Sequence, residues 1–278
     1  MLTGRNTPTF AKDTVYRFMK MVHINWIRFT SVLCSRIIRD AILPLNDEDR
    51  VNVLIIADSM FERNRSKKVE LLAKVYDHAK HAYRDGFRML TLGWSDGSTL
   101  LPINSVLLTS EKKTKRINEA EILDRRTAGY KRRNLSMTKG TKAMLELLKS
   151  SKAASIPAKY VLFDSWFTSP STIHAVKGIG YDVVGMVKKH KKCFSVTTVP
   201  TFLYLKFISR IRSKNKRKEY LCIISTDITW IQAFQVILQM FSKLLSNDCE
   251  LSEDKITELT DAFMSTIPSA LKERRKVA

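Results

Sequence analysis

Two short apolar runs end in the same pair of polar residues. Val51-Asn52-Val53-Leu54-Ile55-Ile56-Ala57 leads into Asp58-Ser59, and Lys159-Tyr160-Val161-Leu162-Phe163 leads into Asp164-Ser165. A nearly continuous apolar run of this length reads as a buried central strand, and open α/β sheets gather ligands at the carboxyl ends of their strands. If two such strands are neighbours, their carboxylates converge. Paired carboxylates are hard oxygen donors suited to Mg²⁺ or Mn²⁺. Metal ions held this way activate an attacking oxygen and stabilise a leaving one in phosphoryl transfer. Asp58 and Asp164 are therefore the candidate catalytic residues and the candidate metal ligands. An aspartate after a strand also serves as a turn former or a helix N-cap, and the pattern alone leaves both readings open.

Phosphate chemistry fits the charge. Lys and Arg number 48 against 27 acids, a net charge of +21. A load of this size favours polyanions, because each phosphate neutralised releases counterions. The plainer reading is a basic protein with no such partner, but the charge is clustered as well as large. The clusters are Lys112-Lys113-Thr114-Lys115-Arg116, Arg125-Arg126, Lys131-Arg132-Arg133, Lys188-Lys189-His190-Lys191-Lys192 and residues 210–218. Lys112, Lys113, Arg125, Arg126, Arg132, Arg133, Lys188, Lys189 and Lys191 are the candidate DNA-backbone contacts. Trp166, next to Asp164-Ser165, is a candidate base-stacking residue, although Trp166 and Phe167 could equally fill core.

The composition narrows the field further. Hydrophobic residues make up 44% and charged residues 27%, which argues against disorder throughout. The 4 cysteines form no CxxC pair, so a zinc site is not expected and a reducing compartment is. The start MLTGRNTPTF has no apolar signal region, and no uncharged apolar stretch is long enough to span a bilayer.

The elements that must position the aspartates follow from periodicity. Residues 14–42 carry apolar positions near 3.6 spacing, either a small helical DNA-binding lobe or a packing helix pair. The spacing predicts a helix over 69–83 and a strand over 87–94. A turn at Asp96-Gly97 and a return strand over 100–108 come next. The basic stretch that follows reads as a long exposed loop with room for a short helix. A helix over 138–150 precedes the second aspartate strand. Ser169-Pro170 then opens a helix that Gly178 and Gly180 close. Strands are expected at 181–188 and 219–225, and amphipathic helices at 230–245 and 252–266. Residues 192–208 give no clear element. Three meandering strands followed by alternating helix and strand form a ribonuclease-H-like α/β plan, a mixed sheet flanked by helices.

These residues resemble the DDE transposases of bacterial insertion sequences, specifically the IS4-like family. The motifs are Leu54-Ile55-Ile56-Ala57-Asp58-Ser59, Tyr160-Val161-Leu162-Phe163-Asp164-Ser165-Trp166-Phe167 and Gly180-Tyr181-Asp182-Val183-Val184-Gly185-Met186-Val187-Lys188-Lys189. The likeness runs over about residues 11–190 and again near 213–225. It implies cleavage and strand transfer of double-stranded DNA, at element ends and into target DNA. The reaction would use a divalent metal held by an Asp-Asp-Glu triad, in the bacterial cytoplasm and by a pair of copies on DNA. Asp58 and Asp164 fall on the first two acids. The third belongs to a Tyr-x2-Arg-x3-Glu-x6-Lys pattern that this chain lacks, so an internal deletion and a defective copy are expected. A non-catalytic DNA-binding remnant is the alternative, and a different nuclease of the same fold is a weaker one. Glu250, Glu253 and Glu258 are the late acids that could substitute, each more naturally placed on a solvated helix face. The segment before the core is short for the family. The implied organisation is a helical segment over 1–48 and a core over 49–227 with a basic insert at about 189–218. A helical segment over 228–278 completes it.

Overall fold

The computed structural model of the chain describes residues 11–46, 50–77, 80–187, 204–211 and 218–226. It divides into two compact units. The first comprises residues 1–45, 55–93 and 101–157, and the second residues 46–54, 94–100 and 158–278.

In the first unit the helical stretch resolves into α1 (Lys12–Lys20) and α2 (Trp26–Ile37), and α2 runs on through a wider turn over Ile38–Ile42. Asn25 starts α2 by accepting the Arg28 N–H at 3.1 Å. Helix α2 packs through small polar residues: Ser31, Cys34 and Ser35 are buried. Ser31 Oγ lies 3.0 Å from Ser150 Oγ and accepts the Asn104 amide at 2.7 Å. Helix α1, by contrast, buries no residue.

Four strands follow: β1 (Val53–Glu62), β2 (Ala73–Asp77), β3 (Ala82–Ser95) and β4 (Leu100–Leu108). Strand β3 pairs with β2, β1 and β4. Its pairing with β2 is antiparallel, from Ala73 opposite Gly86 to Asp77 opposite Ala82. The helix expected over 69–83 is therefore replaced by β2 and the start of β3. The spacing of Val69, Leu72, Val75 and Tyr76 fits a helix, but the burial within β2 alternates residue by residue. Two residues with positive φ, Leu71 at 59° and His81 at 51°, turn the chain at either end of the strand. Strand β1 also runs past Asp58 to Glu62 rather than ending at the acid. Helices α3 (Ala128–Ser136) and α4 (Gly140–Ala153) complete this unit. The latter buries Ala143, Met144, Leu147 and Leu148, one face at helical spacing.

In the second unit, the opening residues of β1 lead the order β1-β5-β6-β8-β7, where β5 is Tyr160–Phe163, β6 Asp182–Val187, β7 Tyr204–Ile211 and β8 Lys218–Ser225. The Lys159 N–H donates to the Asn52 carbonyl at 3.1 Å, seating β5 beside the start of β1. Strands β5 and β6 are parallel, with Tyr160 opposite Asp182, and α5 (Pro170–Ile179) is the crossover between them. Strand β8 pairs antiparallel with both β6 and β7, and β7 gives an element to part of the stretch that had none. Ser169 caps α5, Pro170 occupies its first turn, and Gly180 ends it at φ 95°. Residues 94–100 form the β3–β4 turn. There Asp96 Oδ1 accepts the Ser98 and Thr99 N–H groups at 2.9 and 2.6 Å. The helices expected at 230–245 and 252–266 lie outside the described residues.

Parallel and antiparallel pairings combine in a mixed sheet with flanking helices, the ribonuclease-H-like α/β class read from the order of elements.

Candidate active site

Asp58 belongs to the first unit and Asp164 to the second. In β1 the residues Val53, Leu54, Ile55 and Ile56 are buried and Asp58 is exposed, so the acid stands where the strand leaves the core. Its carboxylate is paired with Arg88 of β3. Arg88 Nε donates to Oδ2 at 3.0 Å, and Nη2 donates to the same oxygen. Among the described residues, no hydrogen bond falls on Oδ1. The neighbouring Ser59 hydroxyl donates to the Met89 carbonyl at 3.5 Å, also on β3.

Asp164 follows β5 directly, and all four residues of that strand are buried. The chain turns at once. Asp164 Oδ1 accepts the Trp166 N–H at 2.9 Å. The Asp164 carbonyl accepts the Thr168 hydroxyl at 3.0 Å and the Phe167 N–H at 3.2 Å. The aspartate thus makes the turn that the plainer sequence reading allowed, and its carboxylate is exposed as well. Of the Trp166-Phe167 pair, Phe167 is 1% exposed and fills core, whereas Trp166 is 58% exposed. Gly185 of β6 makes room for this turn. A Cβ there would lie 2.8 Å from Thr168 Oγ1 and 3.1 Å from the Phe163 ring.

The basic candidates separate by their partners. Lys112, Lys113, Arg125, Arg126 and Arg132 are exposed and make no ion pair among the described residues. Lys113 opens a short 3-10 turn over Lys113–Lys115, and Arg132 lies on α3. Arg133 is engaged. Its guanidinium grips Glu70 with two hydrogen bonds, at 2.5 and 2.8 Å, and lies 3.8 Å from Glu121. Lys188, Lys189 and Lys191 lie outside the described residues, as do Glu250, Glu253 and Glu258.

Sequence reasoning missed Arg88. The available signal was a charge set between Phe87 and Leu90, both buried, in a strand that is otherwise largely apolar. Such a charge asks for a partner.

Among the described residues no group of three or more His, Cys, Asp and Glu side chains is placed to hold a metal ion. The donors that Asp58 and Asp164 offer are carboxylate oxygens, the type that suits Mg²⁺ and Mn²⁺. No helix among the described residues is long and apolar enough to cross a membrane.

A mixed sheet with flanking helices, carrying one aspartate in β1 and another just past β5, defines an α/β protein of the ribonuclease-H-like class. A model of the DDE superfamily endonucleases matches residues 4–203, and the chain belongs to that family. No curated protein matches the chain. The substrate class that follows from an endonuclease of this superfamily is DNA. The matched residues contain both aspartates and strands β1 to β6 and end just before β7.

Proposed function

We propose that the chain descends from an IS4-like DNA transposase, an enzyme of cleavage and strand transfer at insertion-sequence ends, and that this copy is defective. The observation that carries the reading is the pair of aspartates, one in β1 and one just past β5, inside a segment belonging to the DDE endonucleases. Asp58 and Asp164 are the two carboxylates proposed to hold Mg²⁺ or Mn²⁺. When bound, such a cation supplies activation of the attacking oxygen and charge relief at the leaving one. The residues do the remaining work. Asp164 is held by its own turn, Asp58 is offered at the exposed part of β1, and Trp166 presents an indole for base stacking. Lys112, Lys113, Arg125, Arg126 and Arg132, together with Lys188, Lys189 and Lys191, are the proposed phosphate contacts, with Arg133 secondary because Glu70 holds it. The core is assigned to 49–227, in the cytoplasm of a bacterium, with a homodimer as the form on DNA.

The defective reading rests on the sequence. The Tyr-x2-Arg-x3-Glu-x6-Lys pattern of the third acid is absent, as an internal deletion would leave it. A two-metal site lacking one carboxylate has too few ligands and too little charge to hold both ions. Incubation of the chain with element-end duplex and Mg²⁺ or Mn²⁺ tests this. The expected result is DNA binding whose affinity falls steeply with salt, without efficient nicking. Efficient nicking that disappears in Asp58→Ala and Asp164→Ala would overturn the defect and leave the ancestry standing. Salt-insensitive, weak DNA binding would sink both.

A further inference from the structure

We propose that Arg88 is the resident counter-cation of Asp58, a positioning residue that competes with a divalent metal for this carboxylate and thereby sets its metal affinity. The inference rests on the reading of Asp58 as a metal ligand.

Three observations carry it. The guanidinium directs two N–H groups, Nε and Nη2, at a single oxygen, Oδ2. The other oxygen, Oδ1, accepts no hydrogen bond among the described residues, so half of the carboxylate remains open to a second cation. Finally, Arg88 arrives from the adjacent strand, in a stretch where Phe87, Leu90 and Leu92 are buried, and it is itself only half-buried. The pair is near enough to solvent to exchange. A positive group on the ligand oxygen opposes a divalent cation twice: it occupies lone pairs the metal would use, and it repels the metal's charge. A divalent cation held by Asp58 would find Oδ1 open and Oδ2 already held by Arg88. A displaced guanidinium at the mouth of a DNA-cleaving site has a natural second partner in a phosphate oxygen, which it grips as it does a carboxylate.

A purely structural ion pair predicts the opposite sign. If Arg88 only braced β1 against β3 and steadied Asp58, its loss would leave metal affinity unchanged or weaken it. The test is titration of the full chain with Mn²⁺ alone, with free Mn²⁺ followed by electron paramagnetic resonance and folding checked by circular dichroism. Arg88→Met is expected to tighten Mn²⁺ binding about 1.5- to 5-fold, the range that charge pairs near the surface return. Arg88→Lys keeps the charge without the two-pronged grip and falls between the two, which preserves the test should the methionine variant misfold. Asp58→Asn weakens binding, and adding Arg88→Met to it brings no gain. Unchanged or weaker binding in both Arg88 variants, with Asp58→Asn still weakened, overturns the counter-cation role and leaves Asp58 a ligand. Unchanged binding in Asp58→Asn removes the ligand assignment itself, and this proposal with it.

Discussion

Asp58 and Asp164 both leave an apolar run and both precede a serine, yet the two backbones around them behave differently. Strand β1 continues for four residues beyond Asp58, to Glu62, so its carboxylate is oriented by a side chain from another strand, Arg88. Strand β5 stops before Asp164, and the chain folds over its carboxylate, which is held by the N–H two residues further on. One acid is gripped by a side chain from another strand, and the other accepts a hydrogen bond from within its own turn. The same contrast holds for the glycines nearby. Gly86 faces backbone: a Cβ there would sit 2.3 Å from the Phe61 carbonyl oxygen on β1 and 2.9 Å from Met60 Cε. Gly185 faces side-chain atoms, Thr168 Oγ1 and the Phe163 ring. Local order tolerates adjustment where a strand pair does not.

The largest expected effect follows from that difference. Gly86→Ala places a methyl group against a strand backbone that cannot rotate away, so β1 and β3 must part. The expected loss is about 3 kcal/mol, at the upper end of overpacking costs, measured by urea denaturation. A loss below about 1 kcal/mol would mean that β1 beyond Asp58 is loosely held, and the contrast with the Asp164 turn would break.

Alkaline pH should disclose a second difference. Tyr181, just before β6 and 1% exposed, has its phenol pushed up to about 12 by burial. The folded chain therefore keeps a proton that the unfolded chain releases near the ordinary value of about 10. The associated stability is whole below pH 10 and is lost as the pH rises through 12, at most about 2.7 kcal/mol in all. Tyr181→Phe should flatten this alkaline decline when denaturation midpoints are compared at pH 9 and pH 11. An equally steep decline in the variant would place the alkaline sensitivity elsewhere.

A smaller effect is expected at Gly185. Its alanine variant must move the Thr168 hydroxyl off the Asp164 carbonyl or shift the Phe163 ring, costing about 1–2 kcal/mol. Thr168→Ala should absorb part of that cost, so the double variant is less destabilised than the two singles added together. Strict additivity would show that the turn does not yield at Thr168.

What could be read beforehand divides along the same line. The Asp164 region was legible: the apolar run, Ser169-Pro170 and Gly180 each act within a few residues, and the strand, cap and stop appear where those residues put them. The Asp96-Gly97 turn and its return strand were legible for the same reason. The region around β2 was not. Val69, Leu72, Val75 and Tyr76 recur at helical spacing, and the strand is made instead by pairing with β3, including the edge contact of the Tyr76 and Tyr83 rings at 5.2 Å. Arg88 and Asp58, and likewise Arg133 and Glu70, are partners far apart in the chain whose meeting no local pattern announces. The motif named the acids, but only the folded sheet reveals the base already holding one of them.

The smallest effect is the most direct probe of the opening contrast. Asp164→Ala removes the acceptor of the Trp166 N–H, a loss resembling that of an N-cap, and should cost about 1 kcal/mol. Asp58→Ala releases a half-buried ion pair still in reach of solvent and should cost at most about 0.5 kcal/mol, because such pairs return little against solvent and side-chain entropy. Urea denaturation of the two aspartate variants measures the difference. If Asp58→Ala proves the costlier of the two aspartate variants, the Arg88 pair is doing structural service in the sheet. The counter-cation role would then have to yield to a bracing one.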